Sequence, residues 1–248
     1  MLSSTFSIFP GIGPRLERYL WRIGVLTWED FLSSEKIAGF SIQRKTLLDG
    51  YVLDALTALR SGNILYFQPL LGPGGFWRLW DLLGDDALCM DIETDGQNAE
   101  AGEVTVVGFY SKGEYRPYVF GRNLNRDDIQ REIEDAKLLV TFAGSTFDIP
   151  YLKAFYPGLR VDVPHLDLCP AGHKAGLKGG LKKVEKLVGI SRADEVEGLG
   201  GYQAVLLWQA HMHGRDGALE TLIAYNREDT ENLHILASKI YDMLKCPI

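Results

Sequence analysis

The chain has 248 residues, of which 46% are hydrophobic and 24% charged, so one large domain, or a large and a small one, can form a sizeable core. Its formal net charge of -7 argues against a protein that coats polyanions, because affinity for nucleic acid rests largely on neutralising phosphates. Cys89, Cys169 and Cys246 form no CxxC pair, and no stretch has the pattern of a signal peptide or the length of a membrane span. We therefore expect a protein of the cytoplasm.

The N-terminal segment has helical spacing interrupted by glycines. Its first predicted helix follows Gly11 and Gly13. Four apolar or aromatic residues at helical spacing are predicted to lie on the buried face of this helix: Leu16, Tyr19, Leu20 and Ile23. A second helix is predicted from about Thr27, and helical spacing continues to Ser61 and Gly62. The sequence therefore predicts an all-α module over residues 1–62.

Residues 63–86 are rich in proline and glycine and then in aromatic residues, which predicts a linker and a helix leading into a second domain over residues 87–248. Strands are predicted at residues 87–92, 104–110, 115–120, 138–142 and 161–168. Helices are predicted at residues 126–136, 147–155, 180–188, 202–212 and 217–244. This alternation predicts an α/β fold with a mixed sheet flanked by helices.

Two carboxylates follow the apolar run at the start of the first strand. Asp91 and Glu93 are two residues apart, so both lie on one face of that strand. Like charges side by side on a buried strand are unfavourable unless a divalent cation neutralises them. A solvated strand end is the simpler explanation for an isolated DxE pair.

Asp148 follows the predicted strand at residues 138–142, with Ser145 or Thr146 as a candidate helix N-cap. Its carboxylate is therefore expected near the carboxyl end of a strand, where α/β proteins usually place their sites. Acidic residues are also common in the first turn of a helix, because they interact favourably with the helix dipole.

The last predicted helix carries a carboxylate within an apolar stripe. Its positions are three or four residues apart: Leu222, Tyr225, Asp229, Leu233 and Leu236. A carboxylate in that setting needs a partner, and Tyr225 lies on the same face as Asp229. A buried Tyr-Asp hydrogen bond would explain the pair by itself, but the ordered combination with Asp91, Glu93 and Asp148 indicates one site.

These motifs resemble the DEDDy branch of the RNase H-like 3′-to-5′ exonucleases, and more narrowly the YprB-type ribonuclease H-like family. The narrower resemblance covers residues 63–244 and adds segments at 141–150, 165–168, 181–190 and 225–229. It implies that Asp91, Glu93 and Asp229 hold one Mg²⁺ or Mn²⁺ ion and that Asp91 and Asp148 hold a second. It also implies that Tyr225 positions the attacking water, while Ala143 stands near a position where this family usually carries asparagine.

The glycine-rich turn that precedes the first helix resembles a helix-hairpin-helix motif. This resemblance implies that the module contacts nucleic acid, and it favours DNA over RNA. Gly11 and Gly13 would let backbone N–H groups approach a phosphate, and Arg15, Arg18 and Arg22 would form one basic edge. A solvated helix face is the alternative explanation. Lys178 and Lys182 belong to a second basic patch that is suited to guiding a strand.

Three functions fit this pattern. The first is a 3′-to-5′ exonuclease that hydrolyses DNA or RNA with two metal ions. The others are a nucleic-acid-binding protein that keeps the fold without cutting, which Ala143 and the acidic balance suggest, and a structure-specific endonuclease directed by the N-terminal module.

Overall fold

The computed structural model describes residues 1–193 and 198–245, so Cys246 and the last residues of the predicted second domain lie outside the described residues. The chain divides into two compact units, one formed mainly by Met1–Asp81 and the other by Leu82–Leu244. The predicted module boundaries at residues 62 and 87 stay predictions. Among the described residues, no helix combines the length and the apolar character that crossing a membrane requires.

The first unit is helical, as the sequence predicts. Its α-helices are α1 (Pro14–Arg22), α2 (Trp28–Ser33), α3 (Ile42–Arg60) and α4 (Gln68–Leu71), followed by α5 (Trp80–Leu83) where the two units meet in sequence. Thr27 and Asp30 form a capping box that starts α2, and the Ser41 side chain caps α3. Trp28, Phe31 and Phe67 are fully buried in its core.

One inward residue of the first helix was predicted wrongly. Ile23 is 43% exposed, because α1 ends at Arg22 and Gly24 turns the chain with a φ of +86°. Leu20, by contrast, is fully buried. The helix therefore has a narrower apolar face than its spacing suggests.

The second unit contains a mixed sheet whose described strands are β1 (Ala87–Thr94), β2 (Val104–Ser111), β3 (Glu114–Val119), β4 (Leu138–Thr141) and β5 (His165–Asp167). Their order is β3-β2-β1-β4-β5. The pairs β1–β2 and β2–β3 are antiparallel, whereas β1–β4 and β4–β5 are parallel. β5 is shorter than predicted because Pro164, just before it, has no N–H to donate to a ladder.

Helices cover both faces of the sheet, which confirms the predicted fold class. They are α6 (Arg126–Asp135), α7 (Asp148–Phe155), α8 (Leu168–Lys174), α9 (Leu181–Leu187), α10 (Gly201–Met212) and α11 (Ala218–Leu244). One core cluster joins β1, β2 and β4 to α6 and α7, and another joins Val106 and Val119 to α10 and α11. The sequence analysis missed α8, whose N-cap Asp167 accepts a hydrogen bond from the Cys169 N–H.

Candidate metal centre

Asp91 and Glu93 lie at the carboxyl end of β1, on the same face of the strand. In the ladder with β2 they stand opposite Gly108 and Val106, and the register shifts just after Glu93. Asp91 is partly buried and Glu93 is buried. Ligand atoms of Asp91, Glu93 and Asp229, one from each side chain, all lie within 4.8 Å of one another. The structure therefore brings together three of the four carboxylates that the sequence analysis singled out.

Asp148, the fourth predicted carboxylate, begins α7 and is 3% exposed. Its Oδ1 accepts a hydrogen bond of 3.2 Å from the Ile92 N–H, between the two carboxylates of β1. It does not belong to the group of three within 4.8 Å, but its charge helps to raise the pKa of both Asp91 and Glu93. Asp148 therefore lies next to the group formed by Asp91, Glu93 and Asp229 but outside it.

The turn between β4 and α7 is held by Asp167. This carboxylate accepts hydrogen bonds of 2.8 Å from the Ala143 N–H and 3.0 Å from the Ser145 N–H. Ala143 adopts a φ of +62°, a left-handed conformation that residues other than glycine seldom adopt. The predicted cap by Ser145 or Thr146 is wrong: Phe147 is the N-cap residue, and the Thr146 hydroxyl donates to the Ala143 carbonyl.

The stripe on α11 is buried as predicted, and it places Tyr225 beside Asp229. All five of its members are buried: Leu222, Tyr225, Asp229, Leu233 and Leu236. Burial raises the pKa of Tyr225 far above its ordinary value, and the charges of Asp229, Glu93 and Asp91 raise it further. Its hydroxyl therefore keeps its proton at neutral pH.

Asn226, the neighbour of Tyr225, is fully buried and was missed by the sequence analysis. Its Nδ2 donates to Asp91 Oδ2 at 2.9 Å and to Glu93 Oε1 at 3.4 Å, and its Oδ1 accepts from the Tyr115 hydroxyl at 2.9 Å. Periodicity does place Asn226 next to the apolar stripe. The carboxylates that it contacts are too distant in sequence for that pattern to reveal.

The family model of the RNase H superfamily matches residues 88–241, a range that contains β1 from its second residue onward, the other four strands described above, and Asp91, Glu93, Asp148 and Asp229. The chain belongs to the RNase H superfamily. No curated protein matches this sequence.

Among solved structures, this chain is similar to part of a family B DNA polymerase from the hyperthermophilic archaeon Pyrobaculum calidifontis. The likeness has a TM-score of 0.51 and 20% sequence identity, and it covers 62% of this chain and 24% of the polymerase. The chain thus spans about a quarter of that protein's length, and the likeness is one of fold.

The electrostatics of this RNase H-type site fit a hard divalent cation. Burial raises the pKa of Asp91 and Glu93 well above their ordinary values, and the nearby charge of Asp229 raises both further. Burial raises the pKa of Asp148 to about 7. Crowded carboxylate oxygens are the ligands that Mg²⁺ and Mn²⁺ prefer, and a bound cation would turn their mutual repulsion into attraction.

Cationic side chains near α9 contact the same site. Arg192 forms an ion pair with Asp229 Oδ1 and donates hydrogen bonds of 2.7 and 2.8 Å to the buried Glu185. Lys182, predicted to contact nucleic acid, has its Nζ 4.4 Å from the centroid of the Tyr225 ring. Lys178 is exposed in the segment before α9. Sequence analysis missed Arg192, which lies in a loop without periodicity.

The remaining predicted contacts with nucleic acid lie in the first unit. Gly11 is exposed with a φ of +74°, and its carbonyl accepts a hydrogen bond from Arg44 Nη2. Gly13 is the N-cap of α1. Arg15, Arg18 and Arg22 are all exposed along that helix. The structure therefore places these five residues around the start of one helix and along its exposed side.

Proposed function

We propose that this protein is a metal-dependent 3′-to-5′ exonuclease that hydrolyses phosphodiester bonds of DNA or RNA. The observation that carries the proposal is the convergence of Asp91, Glu93 and Asp229 within 4.8 Å, beside the buried Asp148 and Tyr225. Four carboxylates and a tyrosine in this order resemble the DEDDy set. The YprB-type family is the narrower assignment that we propose.

Each side chain has a role in this proposal. Asp91, Glu93 and Asp229 would hold one Mg²⁺ or Mn²⁺ ion, and Asp91 and Asp148 would hold a second. When bound, such ions would supply an activated water and would stabilise the leaving oxygen. Tyr225 retains its proton, so we assign it the orientation of the attacking water by hydrogen bonding rather than the abstraction of a proton.

Nucleic acid would be bound by basic side chains outside the carboxylate cluster. Because the net charge is negative, local cations have to attract the phosphates. Lys182 lies beside Tyr225, which suits it to a phosphate near the reacting bond, and Lys178 would guide the strand. For the first unit we propose a helix-hairpin-helix-like module over residues 1–62 that contacts DNA through Gly11, Gly13 and the arginines of α1. A cytoplasmic location stays a prediction.

The test is cleavage of 5′-end-labelled DNA and RNA, single-stranded and duplex, with Mn²⁺ or with EDTA. We expect products that shorten one nucleotide at a time from the 3′ end, only when metal is present. Internal cuts would instead indicate a structure-specific endonuclease. Metal and nucleic-acid binding without cleavage would indicate a binding protein.

Two matched substitutions on the second unit sharpen this test. Asp91→Asn keeps the size of the side chain but removes a charged ligand, and we expect more than about a 100-fold loss of rate, because loss of outer partners alone costs 10- to 100-fold. Glu220→Gln removes an exposed carboxylate of α11 and should cut at the wild-type rate. Full activity of Asp91→Asn at saturating Mn²⁺ would refute the proposal.

A further inference from the structure

The amide of Asn226 connects the two carboxylates of β1. Nδ2 lies 2.9 Å from Asp91 Oδ2, 3.3 Å from the Asp91 carbonyl oxygen and 3.4 Å from Glu93 Oε1. Asn226 is 0% exposed, so water does not compete for these hydrogen bonds. One neutral donor group from α11 thus contacts both carboxylates of β1.

Tyr115 fixes which way this amide points. Its hydroxyl donates to Asn226 Oδ1 at 2.9 Å and lies 3.4 Å from the Ile223 carbonyl oxygen. The Tyr115 hydroxyl can donate or accept, whereas ionised carboxylates only accept, so all of these groups are satisfied when Oδ1 faces Tyr115 and both N–H bonds face Asp91 and Glu93. The side chain of β3 therefore sets the orientation of a side chain of α11.

Gly108 provides the space for this arrangement. It stands opposite Asp91 in the β1–β2 ladder. A Cβ atom at this position would lie 2.0 Å from Asn226 Oδ1 and 2.7 Å from Thr230 Oγ1, closer than any side chain tolerates. The sheet thus lacks a side chain at Gly108, where Oδ1 of this amide approaches β2.

We infer that Asn226, oriented by Tyr115, is a positioning residue that holds Asp91 and Glu93 in the geometry that binds a divalent cation. Neighbouring carboxylates repel each other, and a ligand set that has to be assembled during binding has a lower affinity than one already formed. The amide contacts both carboxylates without adding a charge that would compete with the cation. This inference rests on the proposed metal site.

The test is calorimetric titration of the full chain with Mn²⁺ at one fixed pH, without nucleic acid. We expect Asn226→Ala to raise the Kd for Mn²⁺ by about 10- to 100-fold, the usual effect of losing an outer partner of a metal ligand. Tyr115→Phe removes only the hydroxyl that orients the amide. We expect Tyr115→Phe to raise the Kd for Mn²⁺ by about two- to tenfold, the equivalent of one hydrogen bond.

Asn232→Ala is the matched control. Asn232 is buried on the same helix, and its Nδ2 has no hydrogen-bond partner in the part of the chain that the structure describes. The Asn232→Ala variant should therefore bind Mn²⁺ with the wild-type Kd, whether or not the substitution changes the unfolding midpoint measured in EDTA. A merely structural role for Asn226 predicts that both alanine variants lose affinity alike.

The outcomes separate the inference from the proposed function. No Mn²⁺ binding by the wild-type protein would overturn both. If the wild-type protein binds Mn²⁺ and the Asn226→Ala variant binds it with the same Kd, the inference alone is overturned. The same holds if Asn226→Ala binds Mn²⁺ no more weakly than Asn232→Ala does. If Asn226→Ala does not fold, Tyr115→Phe decides, since an unchanged Kd there would also overturn it.

Discussion

Arg192 and Asp229 form a buried ion pair in which the arginine is also bound by Glu185. The exposed fractions of these side chains are 7% for Arg192, 9% for Asp229 and 1% for Glu185. Burial lowers the pKa of Arg192, but the hydrogen bonds and charges of Glu185 and Asp229 raise it more, so the guanidinium stays charged. A permanent cation therefore contacts one carboxylate of the proposed metal site.

Arg192→Met removes this charge and keeps most of the apolar length of the side chain. We expect the free energy of unfolding in EDTA to fall by about 3 kcal/mol, because the substitution leaves two carboxylates in a buried setting without their partner. Saturating Mn²⁺ should reduce the loss, since the metal neutralises Asp229. Urea denaturation of the variant and the wild type, with EDTA and with Mn²⁺, measures both effects.

The control for this prediction is Arg227→Met on α11. Arg227 pairs with Glu231 at 2.7 Å, but the two side chains are 58% and 31% exposed. Exposed pairs contribute less than about 1 kcal/mol, so this variant should unfold nearly like the wild type under both conditions. Equal losses for the two variants would mean that the burial of Arg192 has no energetic consequence.

The stability of the metal-free protein should depend on pH between about 4 and about 7. Burial raises the pKa of Asp148 to about 7, against an ordinary value of 3.8, so the folded state binds more protons than the unfolded state in this window. The free energy of unfolding therefore falls as pH rises through the window. Thermal unfolding in EDTA at a series of pH values measures the slope.

Two comparisons test the origin of this slope. Asp148→Asn cannot titrate, so its stability should fall less steeply over the same window. Because metal binds the deprotonated carboxylates, the stabilisation by Mn²⁺ should grow as pH rises. A stability in EDTA that rises from pH 5 to pH 7 would contradict the raised pKa values of this site.

The local parts of this molecule follow from the sequence. Apolar runs identify the strands, and the three- and four-residue spacing along α11 places Tyr225 and Asp229 on one buried face. Both patterns depend on residues close together in the chain, which is why they predict elements well. The positions of Asp91, Glu93 and Asp229 follow once these elements form one sheet and its covering helix.

The long-range polar contacts could not be predicted in this way. Asn226 and Asp91 are 135 residues apart, and Asp167 holds a turn that begins 24 residues earlier. Hydrogen bonds of this kind depend on the register of β1 against β2 and on the path of the chain after β4. Neither is encoded in the periodicity of a single segment.

Ala143 gives a prediction about backbone strain. Its φ of +62° costs an ordinary L-residue about 1–2 kcal/mol, whereas asparagine adopts this conformation more readily. We expect Ala143→Asn to raise the free energy of unfolding by about 0.5–1 kcal/mol. Ala143→Val should lower it, because a β-branched side chain fits the left-handed region poorly. Urea denaturation of both variants is the measurement, and an order of stability reversed between them would contradict the strain.

The basic edge of α1 predicts how binding responds to salt. If Arg15 and Arg18 contact phosphates, an Arg15→Ala/Arg18→Ala variant should bind duplex DNA more weakly and with a shallower salt dependence. Each contact adds about 0.9 to the slope of log K against log salt, so the slope should fall by about 1 to 2. Fluorescence anisotropy over a range of salt concentrations measures the slope, in an Asp91→Asn background so that the DNA stays uncut.

The control is the double variant Lys36→Ala/Arg60→Ala, which removes two other exposed charges of the first unit and should keep the parent slope. An equal change in both double variants would mean that net charge, and not the edge of α1, governs the attraction.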